Sequence, residues 1–124
     1  MASCSVIISD DYEKAVIPVK ANIALYVGGM GARGKNFYND YAKRLGFEEA
    51  AVKIQDFFLD GKRNEAVAAV PDELIDAVHL VGSADKIRDR LQAWKAAGKR
   101  NEVGTMLIGA GQREAFELVA EELL

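Results

Sequence analysis

The chain has 124 residues, half of them apolar, and a formal net charge of -3; that is the length of one domain, with ample material for a core and no basic stripe for nucleic acid. No apolar run is long enough to span a bilayer, and the amino terminus lacks the basic flank and long apolar stretch of a secretion signal, so a cytoplasmic location is expected. Cys4 is the one cysteine and His79 the one histidine, too few for an intramolecular disulfide or a structural metal.

The first element is a strand. Residues 3 to 9 are short, apolar and β-branched, and they end at Asp10-Asp11, which suits a buried parallel strand followed by a helix start. From Asp11 to Val27, the positions Ala15, Val16, Val19, Ile23, Tyr26 and Val27 fall at helical spacing, with Gly28 as the stop. Pro18 predicts a kink, or two shorter helices meeting there, because proline removes a hydrogen bond and clashes with the preceding turn. Residues 28 to 34, Gly-Gly-Met-Gly-Ala-Arg-Gly, are too glycine-rich for regular structure and read as a loop.

Two helices joined at a glycine follow. Phe37, Tyr41 and Leu45 share one face up to Gly46, and Ala50, Ala51, Ile54, Phe57 and Phe58 share another up to Gly61. Asn64 to Val70 reads as a short helical turn, and Pro71 suits the first position of a helix carrying Leu74, Ile75 and Val78. Ser83 caps the next helix, with the stripe Ala84, Ile87, Leu91 and Trp94 and a stop at Gly98. Val103 to Ile108 is β-rich, Gly109-Ala110-Gly111 is a tight turn, and Gln112 to Leu124 is an amphipathic helix with Phe116, Val119 and Leu123 inward.

The order predicts an α/β fold, mostly helical, with about two parallel strands and six to seven helices. Parallel strands pair through a right-handed crossover, and here it would run about ninety residues, far beyond the usual unit. Exposed strands of a buried type template pairing with other chains. A homo-oligomer, a complementing fragment, or helical packing that hides both strands is therefore expected.

Three blocks carry a family signal: Ala24-Leu-Tyr-Val-Gly-Gly-Met-Gly, Val70-Pro-Asp-Glu-Leu-Ile-Asp and Leu80-Val-Gly-Ser-Ala-Asp-Lys-Ile-Arg. Their order and spacing resemble the C-terminal third of luciferase-like flavin or deazaflavin oxidoreductases. With Ile54-Gln-Asp-Phe-Phe-Leu-Asp-Gly, they are especially similar to members that use coenzyme F-420. The resemblance implies a partial (β/α)8 TIM barrel, which when whole needs about 250 residues. On that reading residues 1-124 are a single domain matching the last two βα units, with a helical insertion at about 28-80. It also implies reduced coenzyme F-420, or alternatively FMN, and hydride transfer or monooxygenation. The first six strands, which supply most of the family's cofactor cradle, have no counterpart, so the chain alone is expected to be inactive.

Active sites of such barrels lie at the carboxyl ends of the strands, here Ser9-Asp10 and Gly109-Ala110-Gly111. Gly109 and Gly111 would let main-chain amides approach an anionic cofactor group beside a helix start, although a plain strand-to-helix turn also needs small residues. In the loop, Gly28, Gly29 and Gly31 permit a backbone nest, and Arg33 offers a partner for a phosphate or carboxylate. Gly34-Lys-Asn departs from a phosphate-binding loop, and no dinucleotide fingerprint follows a strand.

The other conspicuous residues read as structural. Asp10 and Asp11 suit a helix start, His79 a packed or capping position, and Cys4 a small buried hydrophobe. Trp94 and Phe57-Phe58 sit at core spacing. No nucleophile-base set can be assembled. Two readings stand beside the oxidoreductase fragment: a noncatalytic helical module for self-association or partner binding, and a small enzyme rebuilt from a barrel half, with only Asp10, Asp11, Arg33 and His79 for its site.

Overall fold

A computed structural model describes residues 1-124, with three strands and seven helices. The β-branched opening forms β1 (Ala2–Ile8), and the chain continues through α1 (Tyr12–Gly29), α2 (Phe37–Arg44), α3 (Glu48–Leu59), α4 (Arg63–Ala68) and α5 (Asp72–Val78). Then come β2 (Leu80–Gly82), α6 (Ala84–Lys99), β3 (Met106–Gly109) and α7 (Arg113–Leu123). The sheet order is β2-β1-β3, all parallel. β2 is a strand beyond the two expected. Its three residues are too few to show a period, yet all are buried, and pairing with β1 rather than propensity makes them a strand. No helix is long and apolar enough to cross a membrane.

The contacts divide the chain into two compact units, Met1–Ala15 with Val78–Leu124, and Val16–Ala77. In the first, α6 and α7 pack together and bury a core of Cys4, Val6, Leu80, Ile87, Leu91, Ala115, Leu118 and Val119. Each large side chain taken from water there contributes about 1.5–3 kcal/mol before the entropy of ordering it. Alternation along the strands is plain: Cys4 and Val6 are buried while Ser3 is exposed, and Met106 and Ile108 are half-buried while Leu107 and Gly109 are exposed.

Along β1 the two ladders are offset. β2 pairs with Val6 to Ile8, and β3 pairs with Ala2 to Ser5. The expected inward face of α7 is corrected at one position: Phe116 is 46% exposed, and Ala115, Leu118 and Val119 are the buried residues. Ala115, Leu118 and Val119 are spaced three and four residues apart and so share the helix face turned to the core, which leaves the adjacent Phe116 off that face.

In the second unit, α1 runs unbroken through Pro18, where a kink or break was expected. Pro18 and Lys14, whose carbonyl loses its partner, are both exposed, so water can satisfy that oxygen. The buried side of α1 here is Val16, Val19, Ile23, Ala24 and Val27, while α3 packs on both α2 and α4. α2 turns its apolar stripe outward. Phe37, Tyr41 and Leu45 face outward, with Phe37 67% exposed, and Asn39 and Ala42 are buried. Asn36 and Asn39 explain this: their amides donate to the Tyr26, Val27 and Ala51 carbonyls at 2.8–3.1 Å, and Asn36 Oδ1 caps α2 at the Asn39 N–H. A satisfied polar network fixes that face inward against the hydrophobic pattern.

Candidate functional site at the carboxyl ends of the strands

The strand ends of the first unit are built from short polar residues and glycines. Beyond β1, the Ser9 N–H donates to the Gly82 carbonyl at 2.8 Å, and Ser9 Oγ accepts the Asp11 N–H at 3.1 Å. Asp11 Oδ1 in turn accepts the Lys14 N–H at 3.2 Å, a helix cap, as its position suggested. Asp10 is exposed, so the acid pair is not assembled into an acid-base couple.

At the end of β2, Gly82 has φ +143, and a Cβ there would lie 2.7 Å from Lys86 Cδ. Lys86 crosses this glycine and sets its ammonium 4.3 Å from the Tyr12 ring centroid. Tyr12 does not stand out in the sequence, and Lys86 reads there, with Arg88 and Arg90, as part of a solvated helix face. The one available signal was the spacing of Lys86 from the Ser83 cap, whose Oγ accepts the Lys86 N–H at 3.2 Å.

Gly109 and Gly111 differ in kind from Gly82. Neither adopts a left-handed φ; a Cβ on Gly109 would stand 3.8 Å from Ser5 Oγ, and one on Gly111 would meet nothing within 4 Å. Local packing therefore does not demand glycine at either place, and the main chain there is open. Next to them is a residue that sequence reasoning missed. Gln112 Oε1 accepts the Ile8 N–H at 2.8 Å and Gln112 Nε2 donates to the Ile8 carbonyl at 2.9 Å. Its amide continues the β1 ladder where β3 has stopped.

The remaining predicted residues lie in the second unit. Gly28 and Gly29 are not loop residues but the last turn of α1. A Cβ on Gly28 would lie 2.6 Å from Phe58 Cβ, and one on Gly29 would collide with the Phe58 ring, so both serve the close approach of α1 and α3. Gly31 has φ +156 and lies against the Lys35 carbonyl, and its own carbonyl accepts from Gln55 Nε2 at 3.3 Å. Arg33 Nε donates to Asp56 Oδ1 at 2.9 Å, an exposed pair. Of the nest expected here, Gly31 and Arg33 remain in the loop, with the guanidinium turned to a carboxylate of its own chain.

His79 and Cys4 complete the inventory of reactive groups. His79 Nδ1 accepts the Ser5 N–H at 3.1 Å, and burial pushes its pKa below the ordinary histidine value. It is a neutral acceptor that extends the β1–β2 pairing by one residue. Burial pushes the Cys4 thiol up to about 11, so it is no nucleophile at neutral pH. The site thus offers hydrogen-bonding main chain, one amide side chain and one lysine.

Comparison with known proteins then decides the family. The profile described as luciferase-like monooxygenase matches residues 1–101. The chain belongs to that family. A Mycobacterium tuberculosis protein provisionally named a coenzyme F-420-dependent oxidoreductase is 37% identical to this luciferase-like chain over 113 residues. Those residues are 91% of this chain but 31% of the relative, so the luciferase-like chain spans less than a third of the protein it matches. No solved structure matches it.

Proposed function

We propose that this chain is the C-terminal part of a luciferase-like oxidoreductase that works with reduced coenzyme F-420, and that it contributes the Gly109-Ala110-Gly111 end of its sheet to the cofactor site. When bound, the deazaflavin supplies hydride, and the protein supplies binding and orientation. The reading is carried by the family match over residues 1–101 together with the relative's F-420 assignment. The residues present fit part of such a group. The uncrowded backbone at Gly109 and Gly111 admits an anionic or planar edge, and the Gln112 amide holds Ile8 level beside it. They do not surround a ring, which supports a chain that binds without turning over on its own.

A fluorescence titration with coenzyme F-420 and with FMN, read beside the mass in solution, tests this. Saturable binding of coenzyme F-420 without turnover is expected, tighter than that of FMN, and Gly111→Asp should weaken it by about tenfold, or about 1.4 kcal/mol. Tighter FMN binding would replace the cofactor. A second reading, a noncatalytic module for self-association, is favoured by the outward Phe37–Tyr41 face of α2, whose rings stack 6.5 Å apart. A stable oligomer that binds neither cofactor would support it instead.

A further inference from the structure

The outward side of α2 is a continuous aromatic surface. Phe37 and Tyr41 stack with ring centroids 6.5 Å apart, Tyr38 meets the Phe37 ring edge-on at 5.5 Å, and Tyr26 of α1 meets Tyr38 at 4.8 Å. At 67%, 42% and 45% exposure, Phe37, Tyr38 and Tyr41 leave roughly 300 Å² of ring surface in water. Leu45, also exposed, follows Tyr41 by one turn, and a contiguous apolar patch of this size commonly marks an interaction site. Rolling the helix cannot relieve it. Asn36 and Asn39 hold α2 by four hydrogen bonds to the Tyr26, Val27 and Ala51 carbonyls, and a roll toward the core would break them.

We propose that this face pairs with the same face of a second copy of the chain, the two α2 helices lying antiparallel across a two-fold axis at Tyr41. Two observations select that occupant. The stripe is symmetric about its middle: Phe37 and Leu45 each stand four residues from Tyr41, so the axis sets Phe37 against the partner's Leu45 and Tyr41 against the partner's Tyr41. The charges have the same symmetry. Asp40 precedes Tyr41, Lys43 and Arg44 follow it, and none of the three makes an ion pair within its own chain. Antiparallel pairing brings Asp40 toward the partner's Lys43 and Arg44 twice over, and sets the two helix dipoles head to tail. A uniformly acidic or uniformly basic partner would satisfy only part of that set.

The size of the contact fixes its strength. Two copies together cover roughly 600 Å² of ring surface, short of the ~1,200 Å² from which stable specific interfaces begin, so the dimer is an exchanging one with a dissociation constant of about 1 μM or weaker. The proposal takes its surface from the self-association reading above without requiring that the chain be noncatalytic.

Sedimentation velocity over a concentration series tests it. The mass is expected to rise from monomer to dimer and no further, because a two-fold contact closes on itself. Tyr41→Glu, which sets two carboxylates on the axis, should raise the dissociation constant by about tenfold or more. Its melting curve, taken where the parent is monomeric, should match the parent's, since Tyr41 is exposed. Asp40→Arg and Arg44→Asp should each dimerise more weakly than the parent, whereas an equimolar mixture of the two should recover association, because position 40 of each chain then again faces an opposite charge at position 44 of the other. A folding defect would not be rescued by mixing.

A chain that stays monomeric throughout, growth beyond the dimer, a dimer indifferent to Tyr41→Glu, or charge variants that mixing does not rescue would each overturn the proposal. Titrating coenzyme F-420 into the same samples keeps the two readings apart. A dimer that binds no coenzyme would sink the functional reading and leave the interface standing; a monomer that binds it would do the reverse.

Discussion

His79 stands one register position before the β1–β2 ladder and holds the Ser5 N–H with an unprotonated nitrogen. Protonation would both charge a largely buried ring and remove its acceptor. Because burial lowers the folded pKa, the unfolded chain binds the proton more readily, and stability rises with pH through this window. The contribution is whole above the ordinary value of about 6.5 and is lost as pH falls toward the lowered folded value. Urea midpoints at pH 7.5 and 5.5 should therefore differ more for the parent than for His79→Gln, whose amide oxygen can accept without titrating. Equal pH dependence in both would remove His79 from this account. The sequence allowed a packed histidine here, and Asp11 as a cap was readable from its place before a helical stripe. The lock of Gln112 on Ile8 was not, since it joins residues far apart in the chain and leaves no local pattern.

At the level of elements, α1 and α3 meet where two consecutive glycines face one phenylalanine. Gly28→Ala would drive a methyl group to 2.6 Å from Phe58 Cβ, an overpacking that costs about 1–3 kcal/mol. In a thermal-melt double-mutant cycle, Gly28→Ala should cost less in a Phe58→Ala background than in the parent. Additive penalties would mean that the glycine serves some other end. This contact was hidden in the sequence because Gly28-Gly29 reads equally as a helix stop. For α2 the difficulty was the reverse. The periodic Phe37, Tyr41 and Leu45 marked an apolar stripe, but the amides of Asn36 and Asn39 had carbonyl partners only on the inside, and those hydrogen bonds set the helix rotation.

For the whole molecule, the α/β class, the parallel pairing of the first and last strands and the helix order followed from periodicity and caps. β2 escaped because three residues cannot display alternation. The two units also differ in how the chain builds them: one is a continuous segment, Val16–Ala77, and the other joins both ends of the chain. β1 is the strand with two neighbours, so deleting Met1–Ser9 leaves β2 and β3 with nothing to pair with. Circular dichroism of that deletion should show the strand signal lost and the helices of the continuous segment kept, with Leu107 amide exchange fast. A protected Leu107 would show that β3 has another support.

The Gln112 side chain has a mechanical consequence as well. It occupies the cap position of α7 but makes no capping bond to that helix, because both ends of its amide are committed to Ile8. The last helix is thereby moored at its first turn to the central strand. It cannot slide or tilt without towing Ile8, and the adjoining Ser9, or casting off both hydrogen bonds at once. Pressure on the Phe116 side of α7 is thus delivered, as by a tiller, to the far end of β1.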